Sequence, residues 1–366
     1  MAGGKASSSG SRFKAMATAL FALAAVFFAV YFIVQGWSNG IPKEPLVRQF
    51  PVMGTICELK FWDKPEQAAK AADVASDAIR EVESRCSVFD KASELSALNA
   101  SAFDAPFKCS PELWELLSHS RRFNAVTDGN FDITIRPLMV LWGFSKKRGE
   151  LPSKAEIETA MQTVGMDKLI FDDNAHTVKF AVKGMALDLG GIAKGYALDK
   201  AAEGVLALGV KRGIINLGGN MRCLPLPPPG RDAYAIGIRN PFDSSATIGT
   251  IKLLNCCVGT SGDYERYVVI NGRHYTHIMN SKTGLPVENM LSVTVVTPLG
   301  VESDGLSKGP FVGGSSYAKL IAERIPATSV LVIRRDPADS SKALVEKFGS
   351  IWGQVEAPQP PLAPKK

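Results

Sequence analysis

The chain has 366 residues, of which 46% are hydrophobic and 21% charged, and this balance excludes an intrinsically disordered protein. Its formal net charge is only +6, and no basic helix or arginine-rich patch with interleaved aromatic residues occurs, which argues against a nucleic-acid-binding protein. The length is enough for one large domain or two ordinary ones with a substantial core.

The N-terminal segment predicts a membrane anchor. Residues 15–34, AMATALFALAAVFFAVYFIV, carry no charge, and about 20 apolar residues can span the hydrocarbon core as a helix. Lys5, Arg12 and Lys14 precede this segment, so the positive-inside rule leaves the N-terminus in the cytoplasm and the following chain outside it. A cleaved signal peptide is the alternative, but the next residues, QGWSNGIP, contain no clear A-x-A-like site.

These features divide the chain into five segments. We predict a basic cytoplasmic N-terminus, an uncleaved transmembrane signal anchor, a linker, a single folded domain and a proline-rich disordered tail, over residues 1–14, 15–36, 37–47, 48–352 and 353–366. The folded domain is therefore expected on the periplasmic side of the inner membrane.

The first half of the predicted domain is mainly helical. We predict a strand, three helices, a hairpin and a further helix, over 55–62, 65–89, 110–126, 153–164, 169–182 and 192–209. Ser110, followed by proline, is a typical helix N-cap. Ser153 and Glu156 form a capping-box pattern at the start of their helix.

Strands predominate in the second half. We predict four or five strands, then a helix and a closing strand, over 213–217, 234–239, 248–253, 266–270, 291–297, 315–325 and 328–334. The Asn-Gly pair in INGRH predicts a hairpin turn. Because helices and strands do not alternate strictly, the fold class is α+β, with mixed or antiparallel sheets and packed helices.

A glycine pair between a strand and a helix is the first candidate site. In LDLGGIAKGYALDK, residues 187–200, Gly190 and Gly191 permit close approach of a ligand to the backbone, and the helix N-terminus that follows favours an anion. The segment matches neither the Walker A motif nor G-x-G-x-x-G, so it is not a standard nucleotide loop. An ordinary tight turn explains the glycines equally well.

His277 is the best single candidate for a general base, since the chain has only four histidines. The segments TSGDYERY and HYTHIMNSKTGLP also crowd polar residues at strand ends, among them Ser261, Asp263, Arg266 and Thr283. A structural histidine that closes a hairpin is the alternative.

Taken in order, these segments resemble the ApbE family of FAD:protein FMN transferases. MGT begins at Met53, FDITIRPLMVLWGF at Phe131, DLGGIAKGYALD at Asp188, INLGGN at Ile215, IRNP at Ile238, TSGDYERY at Thr260 and HIMNSKTGLP at His277. The colinear matches extend from about residue 50 to 335 and leave out the predicted anchor and tail. The resemblance implies a single ApbE-like domain, related to the T-fold.

The resemblance also implies an activity. Such enzymes bind FAD with a divalent metal, usually Mg²⁺, and join its FMN half to a Thr or Ser hydroxyl of a partner protein, with release of AMP. The implied partner is an exported flavin-accepting subunit of a membrane redox complex. A metal ion and backbone N–H groups would neutralise charge as the pyrophosphate breaks.

The same matching gives roles to individual residues. His277 occupies the position of the family's conserved histidine, and Asp304 is the second catalytic candidate. The implied FAD contacts are Met53, Phe89, Asn130, Phe131, Asp132, Asp188, Lys194 and Ile278. An aromatic ring at Phe89 would stack on the flavin or the adenine. The implied metal-ligand positions are the backbone carbonyl of Gly191 and the side chains of Asp304, Ser307 and Lys308.

The stretch VESDGLSKGPFVGG, residues 301–314, departs from the family pattern. The family has a threonine four residues after the aspartate, whereas this chain has Lys308 four residues after Asp304. A lysine ammonium there would repel Mg²⁺, or would itself sit where Mg²⁺ sits. Gly309 and Pro310 also predict that a helix beginning near residue 304 is broken or shifted.

Three functional hypotheses follow. The favoured one is a membrane-anchored flavin transferase, because Asp188, His277 and Asp304 are retained. In it, Lys308 would neutralise the pyrophosphate beside a metal or instead of one. The alternatives are a flavin-binding protein that has lost metal-dependent activity, and an FAD pyrophosphatase that uses water as the acceptor.

Overall fold

The computed structural model describes residues 40–146, 148–353 and 355–358. The predicted anchor and most of the predicted tail lie outside these residues, and both stay predictions. Within the described ranges, no helix combines the length and the apolar character needed to cross a membrane.

An eight-stranded sheet lies at the centre of the fold. The described strands of the whole protein, in chain order, are β1 Leu46–Val52, β2 Thr55–Phe61, β3 Phe107–Lys108, β4 Leu169–Asp172, β5 Thr177–Phe180, β6 Gly213–Leu217, β7 Asn220–Cys223, β8 Tyr234–Asn240, β9 Asp243–Leu253, β10 Cys256–Gly262, β11 Tyr267–Ile270, β12 Arg273–Thr276, β13 Met279–Asn280, β14 Leu285–Pro286, β15 Met290–Thr297, β16 Ser329–Arg335 and β17 Ala343–Phe348. The central sheet has the order β1-β2-β6-β7-β10-β15-β16-β17. All its described strand pairs are antiparallel, so the predicted α+β class is confirmed in its antiparallel form.

The described helices begin in different ways, and three of them have a serine N-cap, at Ser93, Ser110 and Ser153. They are α1 Pro65–Cys86, α2 Glu94–Ser101, α3 Pro111–Val126, α4 Arg136–Leu141, α5 Lys154–Met161, α6 Ala193–Ala207, α7 Gly300–Gly313 and α8 Ser315–Arg324, with a 3₁₀ turn at Met166–Lys168. The Ser110 hydroxyl accepts the N–H of Leu113, as expected of an N-cap. The predicted capping box of Ser153 and Glu156 is confirmed at α5.

Apolar side chains cover both faces of the central sheet. On β16, Val330 and Val332 belong to a core shared with α1, α6 and α7. Leu331 and Ile333, the residues between and beyond them, belong to a second core that includes the β8–β9 hairpin. Successive side chains of a strand point to opposite faces, so a wholly apolar strand indicates a sheet covered on both sides.

α7 is continuous, so the break predicted from Gly309 and Pro310 is wrong, while the start of the helix is shifted to before residue 304. The helix begins at Gly300 and includes Pro310 in its interior. Proline lacks the N–H that would otherwise reach the Leu306 carbonyl, yet the helix continues for another turn. Because the helix starts before residue 304 and stays regular, Asp304 and Lys308 lie four residues apart on one helical face.

Packing explains why this glycine-rich segment is helical. α7 is buried along most of its length, where it lies against α3, α6, β10 and β15. A Cβ at Gly305 would collide with the ring of Phe123, and one at Gly309 would collide with the side chain of Thr127. The small residues thus let α3 approach closely, and tertiary contacts outweigh the low helix propensity.

Candidate active site

α6 and α7 cross at a pair of glycines. A Cβ at Gly195 would overlap the carbonyl group of Gly300 and would lie 2.7 Å from Cβ of Asp304. Asp199 fixes the crossing, since its carboxylate accepts the N–H groups of Gly300 at 2.6 Å and Val301 at 2.8 Å. A carboxylate at a helix N-terminus satisfies unpaired N–H groups and favours the helix dipole. The crossing places the first turn of α6 directly against Asp304.

Asp304 is buried, and protein groups occupy both of its carboxylate oxygens. Oδ2 accepts the N–H of Gly195 at 3.0 Å, and Oδ1 accepts a hydrogen bond from the Lys308 ammonium at 2.6 Å. Burial alone would raise the pKa of Asp304, but the positive charges of Lys308 and Lys194 and the hydrogen bonds lower it below its ordinary value. Asp304 is therefore an ionised carboxylate at neutral pH.

Lys308 joins two of the residues at the implied metal position. Its Nζ also donates to the backbone carbonyl of Asp304 at 2.9 Å. Its methylene chain lies on Gly191, where an added Cβ would be 3.4 Å from Cε of Lys308. Burial lowers the pKa of Lys308, and the Asp304 carboxylate opposes that effect. The structure thus brings Gly191, Asp304 and Lys308 together, as the resemblance implies.

Ser307 is buried and hydrogen-bonded within the protein. Its hydroxyl lies 2.6 Å from the backbone carbonyl of Asp304 and 2.7 Å from the hydroxyl of Ser261. Because a carbonyl oxygen can only accept, the Ser307 hydroxyl donates a hydrogen bond to the backbone carbonyl of Asp304. The Ser261 hydroxyl is therefore the donor in the bond between the two serines. The two hydroxyls tie β10 to α7.

Lys194 contributes a second positive charge to this region. It lies in the first turn of α6 and makes no hydrogen bond or ion pair with any residue in the part of the chain that the structure describes. Its charge lowers the pKa values of Asp304, Lys308 and His277. We call Asp304, Lys308 and Lys194 the charged cluster.

The turn that precedes α6 is held by a charged contact. Oδ1 of Asp188 accepts the N–H of Gly190 at 2.9 Å, and Oδ2 lies 3.4 Å from the guanidinium of Arg136 at the start of α4. The Arg136 guanidinium also lies over the ring of Phe89, with Cζ 5.3 Å from the ring centroid. Phe89 is 62% exposed, so a large aromatic surface is open to solvent beside this turn.

Asn130, Phe131 and Asp132 form the loop that supports the turn. Phe131 is buried, and its ring would be 3.7 Å from a Cβ at Gly191. Nδ2 of Asn130 donates to a backbone carbonyl at the end of α3 at 2.8 Å. Oδ1 of Asp132 accepts the N–H and the hydroxyl of Thr134 at 2.7 and 2.6 Å, and burial raises the pKa of Asp132. These polar groups therefore shape the loop.

His277 has the protonation state that a general base requires. Its Nδ1 lies 2.9 Å from the backbone carbonyl of Arg266. Because the carbonyl only accepts, Nδ1 carries the proton and Nε2 keeps a free lone pair. Burial lowers the pKa of His277, and the charges of Arg266, Lys308 and Lys194 lower it further, so the imidazole is neutral at pH 7.

Met53 and Ile278 form hydrogen bonds with residues outside the charged cluster. Met53 lies at the tip of the β1–β2 hairpin with a φ of 51°, and its N–H donates to Glu83 at 2.5 Å. Ile278 is buried, and its carbonyl accepts the N–H of Val287 at 2.9 Å. Within the described residues, no hydrogen bond or ion pair joins either residue to the cluster.

Sequence reasoning missed Arg136 and Asp199. Both lie inside segments that it singled out, FDITIRPL and GYALDK. Their partners, Asp188 and Gly300, are 52 and 101 residues away in the chain, so no local pattern shows the contacts.

The residues around Asp304 do not fit a divalent metal ion. Oδ1 is taken by the Lys308 ammonium, Oδ2 by the Gly195 N–H, and the Ser307 hydroxyl donates its proton to a carbonyl. In the ranges that the structure describes, no group of three or more His, Cys, Asp or Glu side chains could hold a metal. The ligand positions that the resemblance implies are therefore engaged in contacts within the protein.

Comparisons with known proteins agree on one family. The sequence profile of the ApbE family matches residues 53–332. A FAD:protein FMN transferase of Haemophilus influenzae is 32% identical over 295 residues, which cover 78% of this chain and 85% of that protein. The FAD:protein FMN transferase of Vibrio cholerae is 29% identical over 301 residues, which cover 81% and 89%.

Solved structures give the same result. The ApbE protein of Thermotoga maritima is similar with a TM-score of 0.75 at 28% identity, over 83% of this chain and 97% of that one. The flavin transferase ApbE of Vibrio cholerae is similar with a TM-score of 0.73 at 26% identity, over 84% and 98%.

Proposed function

This chain belongs to the ApbE family, and we propose that it transfers the FMN moiety of FAD to a Thr or Ser hydroxyl of an acceptor protein, with release of AMP. Its curated relatives have the name FAD:protein FMN transferase, and it is a flavin transferase like them. The observation that carries the detailed proposal is the charged cluster, which lies beside a glycine turn and acts electrostatically on a neutral histidine.

The charged cluster suits the pyrophosphate of FAD. Lys194 is unpaired among the described residues, and Lys308 uses only two of its three N–H groups on Asp304. Both lysines can therefore donate to phosphate oxygens, and fixed positive groups in a partly buried site stabilise the charge that develops on the leaving group. The exposed ring of Phe89 offers a stacking surface for an aromatic part of FAD.

His277 is the general base of the proposed reaction. The acceptor hydroxyl oxygen attacks the phosphorus of the FMN half, and its proton passes to Nε2 of His277. A P–O bond forms to the acceptor while the P–O bond to the bridging oxygen breaks, and AMP leaves with that oxygen. The lysines hold the phosphate oxygens in place, so the attacking and leaving oxygens stay aligned.

The acceptor is an exported flavin-accepting subunit of a membrane redox complex, and the enzyme is anchored in the inner membrane. What supports this is the uncharged segment 15–34 with basic residues before it, which would place the domain of residues 48–352 in the periplasm. A transferase held there would meet its acceptor after export.

The test is a transfer assay with the full-length chain in detergent. We would incubate it with FAD and a recombinant acceptor domain whose Thr hydroxyl is unmodified, and use a Thr→Ala copy of that domain as control. Mass spectrometry should show the FMN increment on the Thr domain alone, with AMP in equal amount. AMP release without the increment would instead identify a pyrophosphatase, and bound FAD with neither product would identify a non-catalytic flavin-binding protein.

A further inference from the structure

We infer that the ammonium of Lys308 is the permanent cation of this site, and that the protein binds the FAD pyrophosphate without a divalent metal ion. The inference rests on the proposed function for the identity of the ligand. It goes beyond that function because it concerns which positive group holds the pyrophosphate.

Position is the first argument. The residues implied as metal ligands converge in the structure, but the group between them is the end of the Lys308 side chain. Its Cε lies beside Gly191, and its Nζ lies 2.6 Å from the carboxylate and 2.9 Å from the carbonyl of Asp304. An ammonium that contacts the oxygens of Asp304 occupies the place where a metal would bind them.

Ligand availability is the second argument. A divalent cation binds oxygen ligands that can turn their lone pairs toward it. Here the second carboxylate oxygen of Asp304 accepts the N–H of Gly195, and the Ser307 hydroxyl is fixed between Ser261 and a carbonyl. A metal would have to displace Lys308, break these bonds and approach two like charges, Lys308 and Lys194.

The remaining hydrogen-bonding capacity of Lys308 is the third argument. An ammonium has three N–H donors, and Asp304 accepts two of them. The side chain is 17% exposed whereas Asp304 is 2% exposed, so the lysine forms the accessible end of the pair. An ion pair with only a structural role would not need an exposed ammonium end. The third donor is available to a phosphate oxygen, and Asp304 acts as a positioning residue that orients it.

The experiment measures FAD binding rather than turnover. Full-length protein is treated with EDTA and desalted, and flavin fluorescence then gives the Kd for FAD in EDTA and in excess MgCl₂. Mn²⁺ is added separately as a metal probe, and its EPR signal reports bound ion. The variants are Lys308→Thr and, as control, Lys319→Thr. Lys319 also lies on a helix and pairs with a carboxylate four residues away, that of Glu323, but its side chain is 66% exposed.

The wild type should bind FAD equally well in EDTA and in MgCl₂, and it should bind no Mn²⁺. Lys308→Thr loses a charge-assisted hydrogen bond, which should weaken FAD binding in EDTA by about tenfold. MgCl₂ should restore FAD binding by this variant, and EPR should now show Mn²⁺ bound to it. Lys319→Thr should behave as the wild type does.

Several results would overturn the inference. A wild-type protein that needs MgCl₂ to bind FAD, or that binds Mn²⁺, refutes it even if the threonine variant does not fold. A folded Lys308→Thr variant with unchanged affinity in EDTA, or with a loss that MgCl₂ does not repair, also refutes it. If the wild type binds FAD without metal and transfers nothing, the proposed transferase function fails while the inference about the cation stands. If no protein binds FAD at all, both fail.

Discussion

The Gly195→Ala substitution tests the helix crossing that positions Asp304. An added methyl group would overlap the backbone carbonyl of Gly300 and would lie 2.7 Å from Cβ of Asp304. These atoms belong to a buried helix and are not the movable end of a side chain. We therefore expect α7 to shift away from α6, which would break the hydrogen bond between the Gly195 N–H and Asp304.

Gly204 is the matched control, because it lies on the same helix. A Cβ there would meet only Cγ1 of Val74, at 2.6 Å, and that side chain can rotate away. Both substitutions gain about 1 kcal/mol of helix propensity. Overpacking against a backbone costs about 3 kcal/mol, the upper end of the usual range. Gly195→Ala should therefore lower the free energy of unfolding by about 2 kcal/mol net, whereas Gly204→Ala should leave it unchanged or slightly higher.

Urea denaturation followed by circular dichroism gives the free energy of unfolding of both variants. In thermal denaturation, the melting temperature of Gly195→Ala should be about 5 °C lower than that of the wild type. FAD affinity should fall in the same variant, because Asp304 no longer orients Lys308. If Gly195→Ala is as stable as Gly204→Ala and binds FAD normally, the close crossing does not hold the site together.

Three further predictions concern single residues. His277→Ala should lower transfer by about 10²–10⁴-fold while FAD binding, measured by flavin fluorescence, stays unchanged; normal transfer would show that the base lies elsewhere. Phe89→Ala should raise the Kd for FAD about fivefold without loss of stability, since the ring is 62% exposed; an unchanged Kd would mean that the ring does not stack on the ligand. Burial raises the pKa of Asp199 from 3.8 to about 6, so its contribution to stability is complete below about pH 4 and is lost as the pH rises through 6. Relative to Asp199→Asn, the wild type should therefore lose up to about 3 kcal/mol over that interval in urea denaturation, and parallel pH profiles would contradict the assignment.

Local chemistry was enough to predict many elements of the fold. The capping box of Ser153 acts only on its own helix, and the Asn271–Gly272 turn, with both φ angles positive, closes the β11–β12 hairpin. Both are decided by neighbours in sequence, so a sequence pattern reveals them. β17 was not predicted, because ALVEKF shows little alternation of apolar and polar residues, although it pairs with β16, the strand directly before it in the chain.

α7 was mispredicted for the opposite reason. Its glycines and Pro310 argue against a helix, and only the surrounding helices and strands stabilise it. The site was affected in the same way, since the sequence identified Asp304 and Lys308 but not their contact. That contact depends on a helical spacing of four residues, and it forms because the helix already begins at Gly300 and includes both residues. The Arg136–Asp188 pair joins the start of α4 to the turn before α6, 52 residues later, and has no local signal.

The hydrogen bond between Gly195 and Asp304 has a consequence for how the chain folds. The two residues are 109 positions apart, and Asp304 belongs to a unit made of β15, α7, α8, β16 and β17 at the C-terminal end of the domain. Domains are synthesised from the N-terminus, so α6 exists well before its partner helix emerges. Until that last unit docks, the Gly191 turn lacks both the carboxylate and the ammonium beside it. Tight retention of FAD would therefore report the final docking step, and a flavin signal in a refolding experiment would be among the last to appear.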